Sequence, residues 1–490
     1  MLFNSTEFFI FFPVVVTLYF LTPPNRRWII LLLASYYFYM SWKAAYALIL
    51  VLSTVIDYLC SRKMGLYSNE EKHLRKPILY ISIASNLGIL LLFKYYNFFN
   101  ESARGLAEGL NVPYAMPAFE LLLPMGISFY TFQTMSYSID VYHGRIKPER
   151  HFGIFALFVT FFPQLVAGPI ERAGNLLSQL KQSHKFDYER AAGGLRRMAW
   201  GFFKKIMIAD NLALMVNQVY NNPGEFEGIS FVIATIFFAF QIYCDFSGYS
   251  DIAIGAAQVM GIKLMENFRS PYFAKTISEF WSRWHISLST WFRDYLYIPL
   301  GGNRVVKWRW YYNLFIVFMV SGLWHGANWT FLIWGALHGI YQIVGILTKE
   351  QRNRAVHMVG LTKYPLLYKW VQVLTVFVLV CFSWIFFRAN HIADAFYIIR
   401  SSFTQVGNVS EIFTNPAHVL FLDQGLKVFA VSVISIVIME VVHLIQRSGS
   451  VSQLILQRPV WVRWGVYYSA ILAILLFGQF GNQEFIYFQF

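Results

Sequence analysis

The feature that most constrains this chain is a succession of apolar stretches, each near the length of a bilayer crossing. About 20 mainly apolar residues cross a hydrocarbon core as a helix. Segments of that kind are read at 6–22, 28–42, 44–60, 78–94, 118–141, 152–168, 228–246, 309–324, 328–347, 366–387, 427–446 and 462–480. Stretches 195–219, 275–300 and 390–403 are amphipathic and suit buried or interfacial helices. The expectation is an all-α, polytopic membrane protein of roughly eleven spans, a single membrane domain over 1–490 with no separate soluble domain.

Composition closes off the alternatives. Hydrophobic residues make up 57% of the chain and charged residues 13%, with a mean hydropathy of +0.46. Soluble domains carry about 25% charge, so a soluble, disordered or fibrous protein is excluded. The net charge is +14, yet little solvated surface exists to present a basic face to nucleic acid. The surplus fits cytoplasmic loops beside anionic headgroups. Cys60, Cys244 and Cys381 sit in or beside apolar stretches, without the spacing of a zinc site or a disulfide framework. The N-terminus has no basic n-region before its apolar run, and reads as a retained first span.

Lys/Arg bias sets an orientation. With the N-terminus outside, inside loops 23–27, 61–77 and 143–151 hold ten positive residues, and the outside loops hold Lys43, Lys94 and Arg104. The expected arrangement therefore has a periplasmic N-terminus. A full crossing by 152–168 would then put the basic 171–205 segment outside. Pro163 and Gly168-Pro169 interrupt that span, so 152–170 reads as a broken or re-entrant element. No internal repeat is visible, which argues against a transporter.

Intramembrane ionisable groups are costly and mark functional candidates. They concentrate in three blocks, Gln241–Asp251, Phe280–Asp294 running on to Asn303, and Ser321–Asn328 continuing to Gly339. His325 follows an apolar run and is flanked by Gly322 and Gly326, which permit close approach of backbone or substrate. Its side chain suits proton transfer near neutral pH. The residues alone leave two readings open, a general base or a packed histidine bonded to a neighbouring helix. His338 lies 13 residues on, about 220° around a helix and about 20 Å along it, so it reads as packed. Arg283, His285, Arg293 and Asp294 lie on a segment too polar for lipid and too apolar for a loop. An arginine there either holds a phosphate-bearing donor or anchors at headgroups. Arg293 and Asp294, being adjacent, are expected to point apart. Asp245, Ser247, Tyr249 and Asp251 read as hydrogen-bonding scaffold, since no nucleophile elbow surrounds Ser247. No metal-ligand set emerges.

Six ordered blocks, Leu123–Phe132, Pro163 with Ala167–Pro169, Asp245–Asp251, Trp284–Ser289, Phe292–Tyr297 and Leu323–Asn328, resemble the membrane-bound O-acyltransferase (MBOAT) family, in its alginate O-acetylation (AlgI-like) branch. The closing Phe485–Phe490 is also similar to the tail of that branch, and the likeness covers almost the whole chain. It implies a ring of tilted helices, with re-entrant and amphipathic helices, around a central funnel. It implies that His325 is the catalytic histidine and His285 the second signature position; Trp324, Asn328, Arg283, Arg293, Asp294, Asp245, Ser247 and Tyr249 are read as substrate-binding candidates. Ser282 and Cys244 depart from the common pattern, which weakens a donor-phosphate role for Ser282. The implied chemistry is acetyl transfer from cytoplasmic acetyl-CoA, with no bound cofactor, towards an exopolysaccharide through an SGNH-like periplasmic acetyltransferase partner. Peptidoglycan O-acetylation and teichoic-acid D-alanylation are the alternatives, and His325 acts either as general base or as acyl carrier.

Overall fold

The computed structural model describes residues 1–119, 122–166, 168–405, 410–449, 451–480 and 485–488. Among them every regular element is helical. Seven helices are long and apolar enough to cross a membrane: Ala44–Met64, Lys72–Gly109, Ile229–Val259, Trp329–Leu347, Pro365–Arg388, Gly425–Gln446 and Val460–Phe477. The chain is a multi-pass membrane protein. Thr6–Leu21, Arg27–Met40, Ile127–Tyr142 and Lys307–His325 occupy other expected spans as shorter or more polar helices. The residues gather into two compact units, Met1–Met198 with Ile252–Met265, and Ala199–Asp251 with Glu266–Phe490.

Two expectations in the first unit meet different outcomes. The span read at 118–141 begins only at Ile127. Residues 112–119 and 122–126 are not helical, because Pro113, Pro117 and Pro124 remove amide donors and Gly126 turns with φ of 71°. The segment after His151 breaks as its prolines suggested. Phe152–Thr160 is a nine-residue helix, about 13 Å long against a core of about 30 Å. A second short helix, Phe162–Leu165, follows with Pro163 in its first turn.

The break is tolerated because its backbone groups are answered. The Phe162 N–H donates to Ser35 Oγ at 3.0 Å. The Phe158 carbonyl accepts from Gln133 Nε2 at 2.7 Å and Gln164 Nε2 at 2.8 Å. Irregular backbone survives in a membrane only where protein supplies such partners. In the same unit, buried Asp57 accepts from Ser82 Oγ at 2.5 Å and from Asn86 Nδ2 at 3.0 and 2.9 Å, tying neighbouring helices together.

In the second unit Lys307–His325 and Trp329–Leu347 form a tight hairpin. Its closeness depends on two glycines. A Cβ on Gly322 would sit 2.3 Å from the Phe331 carbonyl oxygen, and one on Gly335 2.4 Å from that of Phe318. Small residues at such crossings are the membrane route to close helix packing. The glycine flanking His325 on the N-terminal side therefore serves the hairpin.

Candidate active site

His325 is the last residue of its helix, and Gly326 is extended. Asn328 then caps the next helix, its Oδ1 accepting from the Thr330 amide at 3.0 Å. This turn fixes the 2%-exposed His325 ring in an aromatic enclosure. Ring centroids of Trp334, Trp324, Phe387 and Tyr487 lie 4.9, 5.0, 5.4 and 5.5 Å from it.

His285 approaches the same place from another element. It joins the short helices Ile277–Arg283 and Ile286–Phe292 in the left-handed region, with φ of 44°. A non-glycine residue held there stores strain on the order of 1–3 kcal/mol. Asn267 over-determines this turn. Its carbonyl accepts the Ile286 amide at 2.9 Å, its Oδ1 accepts from Ser287 N at 3.3 Å and Ser287 Oγ at 2.7 Å, and its Nδ2 donates to Ser250 Oγ at 3.2 Å. The fully buried imidazole packs against Phe246 at 4.5 Å, Trp324 at 6.1 Å and Tyr487 at 6.4 Å. The two histidines, 40 positions apart in sequence, thus share Trp324 and Tyr487 as ring neighbours.

Tyr487 arrives on the C-terminal tail, and a buried charge network anchors that tail. Lys205 bridges Asp210 at 2.8 Å and Asp245 at 2.7 Å, with its ammonium 5.5 Å above the Tyr249 ring. The other oxygen of Asp245 accepts the Ile486 amide at 2.8 Å, and Phe485 packs on Tyr249 at 4.5 Å. The neighbouring Lys204 donates to Ser247 Oγ at 2.8 Å and pairs with Asp251 at 2.6 Å. Both lysines lie in the π-helical stretch Phe203–Ala209 inside the amphipathic segment. Asp245, Ser247 and Tyr249 therefore sit as scaffold beside the histidines.

The remaining candidates are Arg283, Arg293 and Asp294. Arg283 pairs with Glu279 on its own helix. Arg293 is more than half exposed and bonds Asp294 through Nε at 2.8 Å, which corrects the expectation that the two point apart: the flexible arginine stem folds back over one residue. His338 is fully buried with both nitrogens engaged. Nδ1 accepts from Trp281 Nε1 at 3.2 Å, so Nε2 carries the proton and faces Ser383 Oγ at 2.9 Å.

Sequence reasoning did not single out Tyr487, Asn267, Lys205 or Asp210. Lys205 and Asp210 had an available signal, as acid and base within one apolar-faced amphipathic stretch. Asn267 had none, because its function is to satisfy backbone groups of a distant turn.

Two buried imidazoles thus meet in one aromatic enclosure. The sequence profile of the membrane-bound O-acyltransferase family matches residues 150–387, which include both histidines. The chain is 38% identical over 439 residues to a protein named "probable alginate O-acetylase AlgI" from Pseudomonas aeruginosa, covering 89% of this chain and 81% of the relative. A protein of the same name from Pseudomonas putida is 40% identical over 412 residues, covering 82% and 81%. A peptidoglycan O-acetyltransferase from Helicobacter pylori is 34% identical over 388 residues, covering 74% and 71%. With likeness of this extent joined to an all-helical membrane architecture, the chain is an acyl-transferring enzyme and belongs to the membrane-bound O-acyltransferase family.

Proposed function

We propose that this enzyme moves acetyl groups from acetyl-CoA, supplied on the cytoplasmic side of a bacterial inner membrane, towards an alginate-like exopolysaccharide outside. The observation that carries the chemistry is the convergence of His285 and His325 on the Trp324 and Tyr487 rings. The names of the relatives support the acyl group and the acceptor class. The charge bias of the loops supports a periplasmic N-terminus.

In this reading His325 is the general base. It takes the proton of an acceptor hydroxyl as that oxygen attacks the thioester carbonyl carbon. A C–O bond forms, the C–S bond breaks, and the CoA thiolate recovers the proton from the imidazolium. General-base assistance of this kind is worth about 10²–10⁴-fold. His285, held in its strained turn, orients the reacting groups. The acetyl group reaches the polymer through a periplasmic acetyltransferase partner, and the enzyme supplies the membrane step.

A second acceptor, peptidoglycan, is favoured by the Helicobacter pylori relative. Sealed vesicles of both orientations, given acetyl-labelled acetyl-CoA, the partner and either alginate or peptidoglycan strands, test the reading. Label in alginate only when donor meets the face bearing loop 61–77 is the expected result. Label in peptidoglycan alone reassigns the acceptor, and equal transfer from either face overturns the sidedness.

A further inference from the structure

Among the described residues, one buried charge in the second unit is not answered by an opposite charge. Arg388 ends the helix Pro365–Arg388 and is 7% exposed. Its Nη2 donates to Asn217 Oδ1 at 2.8 Å and Asn221 Oδ1 at 3.0 Å, and Nη1 reaches Asn390 Oδ1 at 3.4 Å. Tyr220 lies under the guanidinium at 5.4 Å. Among the described residues every hydrogen-bond partner of this side chain is thus a neutral amide, and three bonds leave part of its five-donor fork unused.

The surroundings contrast with the other buried cations of this unit. Lys204 holds one carboxylate and Lys205 holds two. Buried charges are retained at a cost unless they are paired, and an intramembrane ionisable group marks function by default. Arg388 is also coupled to the candidate active site. The preceding residue, Phe387, packs its ring on His325 at 5.4 Å. The carbonyl of Asn390 accepts from Asn328 Nδ2 at 3.1 Å, and Asn328 is three residues after His325. Arg388, Asn217, Asn221, Asn390 and Asn328 therefore make a continuous amide-and-guanidinium network tied to the histidine turn.

We propose that Arg388 binds an oxyanion carried by one of the substrates, so that the substrate supplies the missing counter-charge. A guanidinium fork matches carboxylate and phosphate geometry equally well. The two sources are the carboxylate of an acidic-sugar acceptor and the 3′-phosphate of the donor. The proposal rests on acyl transfer at His325.

Asn217→Asp is the decisive variant, because it places a carboxylate beside Arg388 with almost no change of shape. In nanodisc-held enzyme, acetyl-CoA turnover is followed with acetyl-CoA or its 3′-dephospho form as donor, and with an oligomannuronate or its carboxyl-reduced counterpart as competitor. Asn217→Asp and Arg388→Gln are each expected to weaken one anionic probe at least tenfold. The matching probe that lacks that anionic group should change less than twofold, and Asn217→Asp should melt no lower than wild type. The affected probe identifies the source. If both variants keep the wild-type preference for both anions, the site is overturned and Arg388 is a strut. Where Arg388→Gln does not fold, the Asn217→Asp result stands alone, and a more stable protein with unchanged anion preference overturns the proposal. Loss of activity in a parallel His325→Ala sample confirms the reading beneath it, whereas full activity there rejects that reading independently of Arg388.

Discussion

His338 and His325 lie 13 residues apart, each buried on one arm of the same helical hairpin, and the structure uses them in opposite ways. His338 spends one nitrogen on Trp281 and the other on Ser383, so it is a strut between helices. His325 sits at a helix end, wrapped by aromatic rings, and shares two of them with a second histidine from a distant turn. Burial is the same in both. What separates scaffold from candidate catalyst is where the neighbours come from and whether they converge.

The largest expected effect follows from that contrast. His325→Ala should lower turnover about 10²–10⁴-fold while its melting temperature stays within a few degrees of wild type. His338→Ala should do the reverse, orphaning the Trp281 N–H at a cost of about 1–3 kcal/mol with turnover within a few-fold. Turnover and melting curves on the same nanodisc samples check both, and matching losses in the two variants would erase the distinction.

The tail anchor sharpens the comparison. Lys205→Met leaves Asp210 and Asp245 buried without their shared cation, a change worth about 3–5 kcal/mol, and should melt far lower or fail to express. Asp245→Ala leaves the Lys205–Asp210 pair balanced but frees the Ile486 amide. It should therefore lose more activity than stability. Limited proteolysis from the C-terminus, read beside melting, distinguishes the two.

Asn267→Ala should release the left-handed turn at His285 and lower kcat about tenfold with KM little changed. Asn267→Asp keeps the acceptor oxygen for Ser287 and should recover most of that loss. Gly335→Ala sets a Cβ against backbone at 2.4 Å and should cost about 1–3 kcal/mol, read as a lower melting temperature.

The smallest effect lies in the first unit. Burial pushes the Glu171 carboxyl up to about 7. Its folded state holds the proton more tightly than the unfolded chain, so its contribution is full below the ordinary carboxylate range and is lost as pH rises through 7. Glu171→Gln should raise the melting temperature by a degree or more at pH 8 and leave it nearly unchanged at pH 4.

The membrane class, the positions of the long helices and the break before Pro163 were legible in the sequence. Apolar length and proline placement are local signals, and the histidines stand inside motifs. The late start of Ile127–Tyr142 was less legible, because apolar residues such as Leu121–Leu123 extend the hydropathy window past prolines that end helical bonding. The meeting of Tyr487 with the histidines was also hidden, since so short a tail segment carries no periodicity. Arg388 read as the end of an apolar span, and only its neutral surroundings mark it out.

The central claim is that His285 and His325 serve one site. Its most direct test is a double-mutant cycle on CoA release from acetyl-CoA, using His285→Ala, His325→Ala and the pair together. Groups acting as a unit are strongly non-additive. The double variant should therefore fall within about threefold of the slower single variant. Losses that multiply, or a His325→Ala enzyme that keeps wild-type turnover, would contradict the account.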